Sequence, residues 1–110
     1  MRRREWGYAT DWAGQNRAVE FFVDVPVTGR YELDFRYGSA SARATRQLQV
    51  DGTEAIASLA FPATAAGVWS NVVAPASLTA PRAKVTLLFD QAKGSLESFD
   101  LDSLTVRKRP

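Results

Sequence analysis

The chain has 110 residues, enough for one domain with a substantial core but not for two. Its hydrophobic share of 45%, with 7 Gly and 5 Pro, excludes a disordered segment, and the absence of cysteine means that the fold stands without disulfides. Arg2, Arg3, Arg4, Arg107, Lys108 and Arg109 supply six of its 14 positive charges, so residues 5–106 carry eight positives against twelve negatives, a net of −4. The basic character therefore belongs to the two ends, and no nucleic-acid groove is expected. No apolar run reaches the roughly 18 residues of a membrane helix.

Residues 1–17 lack a clean period and read as a basic segment followed by an aromatic loop, with room for one short strand. Met1 to Arg4 looks like the basic start of an export signal, but Glu5, Gly7, Thr10 and Asp11 interrupt any apolar stretch behind it. Trp6, Tyr8 and Trp12 crowd seven residues. Either they fold back to cap the core, or one or two of them present a flat face for a ligand to stack on.

Val19 to Tyr37, VEFFVDVPVTGRYELDFRY, has a regular alternation. Val19, Phe21, Val23 and Val25 share one parity in its first arm, and Tyr31, Leu33, Phe35 and Tyr37 share one in the second. Period two over this length predicts two strands with one face in a core. Pro26 and Gly29 in the connection predict a tight hairpin, the glycine supplying a positive φ.

Gly38 to Thr45 is small and polar, a loop. Arg46 to Val50 predicts a short strand with Leu48 and Val50 inward, and Asp51-Gly52 a tight turn into a partner strand over Ala55 to Phe61. Pro62 to Gly67 is again a loop. Pro75 makes the segment Val68 to Leu78, which opens near Trp69, an edge strand or a bulged one. Ala80-Pro81 turns the chain, Lys84 to Phe89 is a strand, Gln91 to Ser98 loops around Gly94, and Phe99 to Val106 is the last strand. About seven short strands with no helical period predict an all-β sandwich of two antiparallel sheets.

The last strand, FDLDSLTV, carries an anomaly. The parity of Leu104 and Val106 places Asp100 and Asp102 on the apolar side, where a bare carboxylate costs several kcal/mol. Asp102 therefore binds calcium, pairs with an arginine or sits at the sheet rim; calcium favours carboxylate and carbonyl oxygens. Trp69 is either a core residue or a stacking platform. Arg36 reads as a structural partner for an outward carboxylate, Asp34 or Asp24.

The ordered set VEFFVDVPVTGRYELDFRY, FPATAAGVWSNVVAPASL, VTLLF and FDLDSLTV resembles the carbohydrate-binding modules of families 6 and 35 across residues 18–106. The resemblance implies a β-jelly-roll sandwich with a non-catalytic role, tethering a polysaccharide-active and hence secreted enzyme to its substrate. It implies a sugar site in the loops at one end, with Trp69 as the mid-chain tryptophan and Tyr8, with Trp12 or Trp6, as the second platform. Asp100 stands where such modules carry an asparagine; an acid keeps the acceptors and loses the amide donors. Asp102 matches a late aspartate that helps hold a structural calcium together with a glutamate-rich first strand. That strand is expected to be missing here, Glu5 being the only acid before Asp11, which would leave a sheet edge open to a second copy of the chain.

The functional expectation is a sugar-binding module, with a protein-interaction sandwich that has lost its sugar site as the alternative. An enzyme is disfavoured. Asp100 and Asp102 lie two apart on one strand and point the same way, whereas glycoside cleavage needs carboxyls flanking the bond, about 5 Å or more apart, and no nucleophile stands beside a base. The boundaries expected are a leading segment over 1–17, the sandwich over 18–106 and a basic tail over 107–110.

Overall fold

A computed structural model of the chain describes residues 2–9 as backbone and residues 17–38, 42–65, 67–95 and 99–109 in full. Eight strands run through them: β1 (Arg2–Ala9), β2 (Ala18–Asp24), β3 (Gly29–Gly38), β4 (Ala44–Val50), β5 (Thr53–Phe61), β6 (Trp69–Leu78), β7 (Arg82–Leu88) and β8 (Asp100–Lys108). They form two four-stranded sheets in the orders β1-β8-β3-β6 and β2-β7-β4-β5, and all the pairings are antiparallel. This is the expected two-sheet sandwich with jelly-roll topology, which we call the first and second sheet.

The alternation in Val19 to Tyr37 is real, but the hairpin is not. β2 pairs with β7 in the second sheet, and β3 lies between β6 and β8 in the first. Period two records only that each strand buries one face. It is satisfied equally by strands lying side by side and by strands facing each other across the core. Here they face: Phe21, Val23 and Val25 from one layer and Tyr31, Leu33, Phe35 and Tyr37 from the other are all buried, with Phe21 and Phe35 at 6.5 Å between ring centres. The crossing is tied down by three contacts. The Val25 N–H donates to the Pro81 carbonyl (2.8 Å), the Tyr31 hydroxyl to the Val27 carbonyl (2.6 Å), and the Ala80 N–H to Thr28 Oγ1 (2.9 Å). Gly29 has no positive φ and simply opens β3.

Elsewhere local chemistry dictates local structure. Asp51 and Gly52 both take positive φ, 52° and 81°, as the two-residue turn from β4 to β5 requires. Pro75 sits on β6, which forms the outer edge of the first sheet, where its missing N–H breaks no ladder.

Both basic ends lie in strands. Residues 2–9 form a full strand paired along β8 from Arg2 opposite Arg107 to Ala9 opposite Leu101, longer than the one short strand expected there. Arg107 and Lys108 lie within β8 rather than in a solvated tail, and Arg107 reaches Asp34 at 3.0 Å and Glu32 at 3.6 Å.

The core is richest in aromatics toward one end. Phe61 stacks on Phe99 at 4.5 Å, and Tyr37 meets both edge-on at 5.2 and 5.7 Å. Each such ring contributes roughly 1.5–3 kcal/mol by leaving water. Arg46, expected only as a strand residue, is fully buried in this cluster, its guanidinium over Phe89 (4.8 Å) and Phe99 (5.0 Å) and donating to the Thr45 carbonyl at 2.7 Å. Burial lowers its pKa to about 10, which leaves it charged at neutral pH.

Candidate functional site: a tryptophan and a carboxylate on one rung

The aromatic end of the core fixes the loops above it. The Tyr37 hydroxyl donates to the Pro62 carbonyl (2.7 Å), which holds the loop that leads into β6. The Thr45 hydroxyl donates to the Gly94 carbonyl (2.6 Å), and Asp90 caps a 3₁₀ turn over Gln91–Lys93. β6 emerges from the first of these loops at Trp69.

Trp69 is not a core residue. It keeps 37% of its surface exposed on the outer face of the first sheet, with exposed Val68 and Val73 on either side along the chain. Its cross-strand neighbour on β3 is Gly38, and the next residue on the same rung, on β8, is Asp100. Two strand spacings, about 9.5 Å of backbone, therefore separate the tryptophan from the carboxylate. The residue between them has no side chain. A Cβ on Gly38 would meet the Val68 carbonyl oxygen at 2.7 Å and the Trp69 ring at 3.0 and 3.2 Å, so the ring lies against the space that a side chain would fill.

Behind this rung Arg36 links two of the residues that the sequence singles out. Its guanidinium carbon lies 4.8 Å from the centre of the Trp69 ring, and its Nη1 donates to Asp102 Oδ2 at 2.9 Å. The partner of Arg36 is thus Asp102, not Asp34 or Asp24. Asp34 is taken by Asn71 (2.8 Å) and Arg107 (3.0 Å).

The apolar-side placement of Asp100 and Asp102 is also corrected. Ser103 lies opposite Arg36 and Leu101 opposite Tyr37, so Asp102 is the extra residue of a β-bulge. The bulge switches the parity. Leu101 points into the core before it, and Leu104 and Val106 after it. Both aspartates escape burial among apolar side chains, and of the readings open for Asp102 the arginine pair is the one observed.

The Asp102 carboxylate already accepts from Arg36 and from the Ser103 hydroxyl (3.2 Å). Among the described residues no group of three or more acidic, histidine or cysteine side chains could hold an ion. The side chain of Glu5 lies outside the described residues, as do that of Tyr8, whose backbone is part of β1, and all of Trp12. Gly38 is the site residue that sequence reasoning missed, having been read as the start of a loop. Its only signal was its position immediately after the alternating arm.

A two-sheet jelly roll that presents a partly exposed tryptophan on the same rung as a carboxylate defines a β-sandwich binding module. The profile described as carbohydrate binding module (family 35) matches residues 2–107, and the chain belongs to that family, whose members are non-catalytic binding modules. Similar solved structures include a Paenibacillus sp. cycloisomaltooligosaccharide glucanotransferase complexed with cycloisomaltoheptaose. It is 28% identical with a TM-score of 0.79, over 96% of this chain and 18% of that one. A family 35 carbohydrate binding module from Clostridium thermocellum is 21% identical, with a TM-score of 0.77 over 98% and 92% of the two chains. A Listeria monocytogenes protein in complex with glucose, magnesium and calcium is 24% identical, with a TM-score of 0.84 over 93% and 9%. The chain thus spans less than a fifth of the first of these structures. Comparison with curated proteins gives no match.

Proposed function

We propose that the chain binds a neutral glucose-based polysaccharide and tethers an associated enzyme to it, outside the cell where such polymers lie. The sugar ring stacks on Trp69 and donates hydroxyl hydrogen bonds to Asp100. The observation that carries this reading is the rung itself: an indole 37% exposed, packed over Gly38, and a carboxylate two strands away at about 9.5 Å of backbone, so that a sugar stacked on the open part of the ring lies within reach of the acid. Family membership supports a saccharide as the ligand class. The glucanotransferase complexed with a cyclic isomaltose-type sugar supports glucose units. Asp100 offers acceptors only, which suits hydroxyl donors and disfavours sugar acids.

The reading is tested by affinity electrophoresis through gels containing dextran, starch, pullulan, galactomannan or xylan. The expected result is retardation by a glucan, reduced at least tenfold in apparent affinity by Trp69→Ala. Unretarded migration in every gel, with Trp69→Ala behaving identically, would overturn it.

A further inference from the structure

The edge strands β5 and β6 close the same side of the sandwich from different sheets. Between them lies a cleft of about 530 Å³, within the size range of small-ligand sites, bordered by Arg30, Asp51, Glu54, Pro75, Ser77 and Thr79. It is well away from Trp69: Ser77 is eight residues further along extended β6, roughly 27 Å.

Much of the hydrogen-bonding capacity of this cleft is left over for a ligand. The side chains of Arg30, Ser77 and Thr79 make no hydrogen bond or ion pair with any described residue. The two acids are held in place but not used up. Asp51 Oδ1 accepts from the Lys84 N–H (2.8 Å), and Glu54 Oε1 accepts from Gln47 Nε2 (2.8 Å) and Lys93 (3.1 Å). Each carboxylate therefore keeps its second oxygen for a ligand. The charge of Glu54 is answered by Lys93, and Arg30 offsets Asp51, so the cleft is near neutral. Mixed donors and acceptors beside the apolar ring of Pro75 match the hydroxyl rim and apolar face of an uncharged sugar. They do not match an anion, which would face two carboxylates.

We infer that the β5–β6 cleft is a second subsite for neutral oligosaccharide, independent of Trp69. The inference rests on the saccharide reading of the first site. Two weak sites on one module bind a polymer far more tightly than either alone when one chain reaches both.

The test is an NMR titration of the ¹⁵N-labelled protein with linear isomaltoheptaose and with maltoheptaose, run on the unaltered chain, Trp69→Ala and Arg30→Ala. The expected result is two groups of shifted amides, one around Gly38 and Trp69 and one around Thr53 and Ser77 to Thr79. Trp69→Ala should lose only the first group, and Arg30→Ala should weaken the second at least tenfold while leaving the first unchanged. Shifts confined to the Trp69 group at saturating sugar would overturn the second subsite and leave the proposed function standing. No shifts anywhere would overturn both. Shifts of the second group that survive Arg30→Ala undiminished would remove the cleft as their origin.

Discussion

Arg36 holds Trp69 by stacking on its ring, with 4.8 Å from guanidinium carbon to ring centre, and Asp102 fixes that guanidinium from the far side at 2.9 Å. The ring that is proposed to meet the sugar is thus set in place by an ion pair on the neighbouring strand. Asp102→Asn removes the charge and keeps the size. The pair is partly exposed, at 40% and 19% of the two side chains, so the stability loss should be modest, about 0.5–1 kcal/mol. Sugar affinity should fall more than stability because the ring is no longer fixed. Calorimetric melting beside a binding isotherm separates the two effects. In the same melts a calcium chelator should leave the midpoint unchanged, as expected of a carboxylate already engaged by arginine.

Gly38→Ala puts a methyl group against a backbone oxygen and an indole at once, at 2.7 and 3.0 Å. The carbonyl belongs to the strand entry and cannot swing aside as a side-chain tip would. The expected cost is about 1–3 kcal/mol of stability, together with displacement of the ring. Urea denaturation reports the first and tryptophan fluorescence the second. A variant with native stability and an unchanged emission spectrum would contradict the close approach.

Arg46 has two separable contributions, the bulk that fills the aromatic end of the core and a charge that its surroundings disfavour, as its lowered pKa shows. Arg46→Ala should cost about 3 kcal/mol or more through the cavity left beside Phe89 and Phe99. Arg46→Met keeps much of the bulk and should fall within about 1.5 kcal/mol of the native protein. Equal destabilisation by the two variants would show that the charge, not the volume, matters.

Burial raises the Tyr37 phenol above its ordinary value of 10.0, with a hydrogen bond to Ser70 acting in the opposite direction. As pH rises past 10 the unfolded chain loses this proton before the folded one does. The unfolded state then binds fewer protons, and stability falls with rising pH. At neutral pH Tyr37→Phe should be less stable by about 1 kcal/mol through the lost bond to Pro62. At about pH 10.5 that gap should narrow, because the variant has no phenol to ionise there. Urea midpoints for both proteins at the two pH values decide the matter.

Much of this fold can be read from the order of residues, for reasons that also mark where the reading stops. Alternation identifies the inward faces of β2 and β3 because burial imposes it strand by strand. Which sheet each joins depends on contacts between residues such as Ala18 and Leu88 or Gly29 and Leu78, far apart in the chain. Asp51-Gly52 and Pro75 were legible because turn geometry and the missing N–H are local. β1 was not, since RRREWGYA has no alternation and is held mainly by pairing with β8. Trp69 and Asp100 could be chosen from their residue types and order, and the rung that unites them could not. The bulge at Asp102 is invisible to parity counting because it is the point where parity breaks.

The pairing of β1 with β8 also sets how such a module can be mounted. Arg2 lies opposite Arg107, so polypeptide joined at either position would depart from the same end of the sandwich. Trp69 and Asp100 lie at the opposite end of their strands, whereas Arg30 and Ser77 lie at the end of departure, beside Lys108 opposite Tyr31. A unit of this kind can be spliced into a larger protein as a cassette without parting its sheets. Its exposed tryptophan would then face outward like the tip of a probe, and a glucan running from that tip to the cleft would be led back toward whatever the cassette is mounted on.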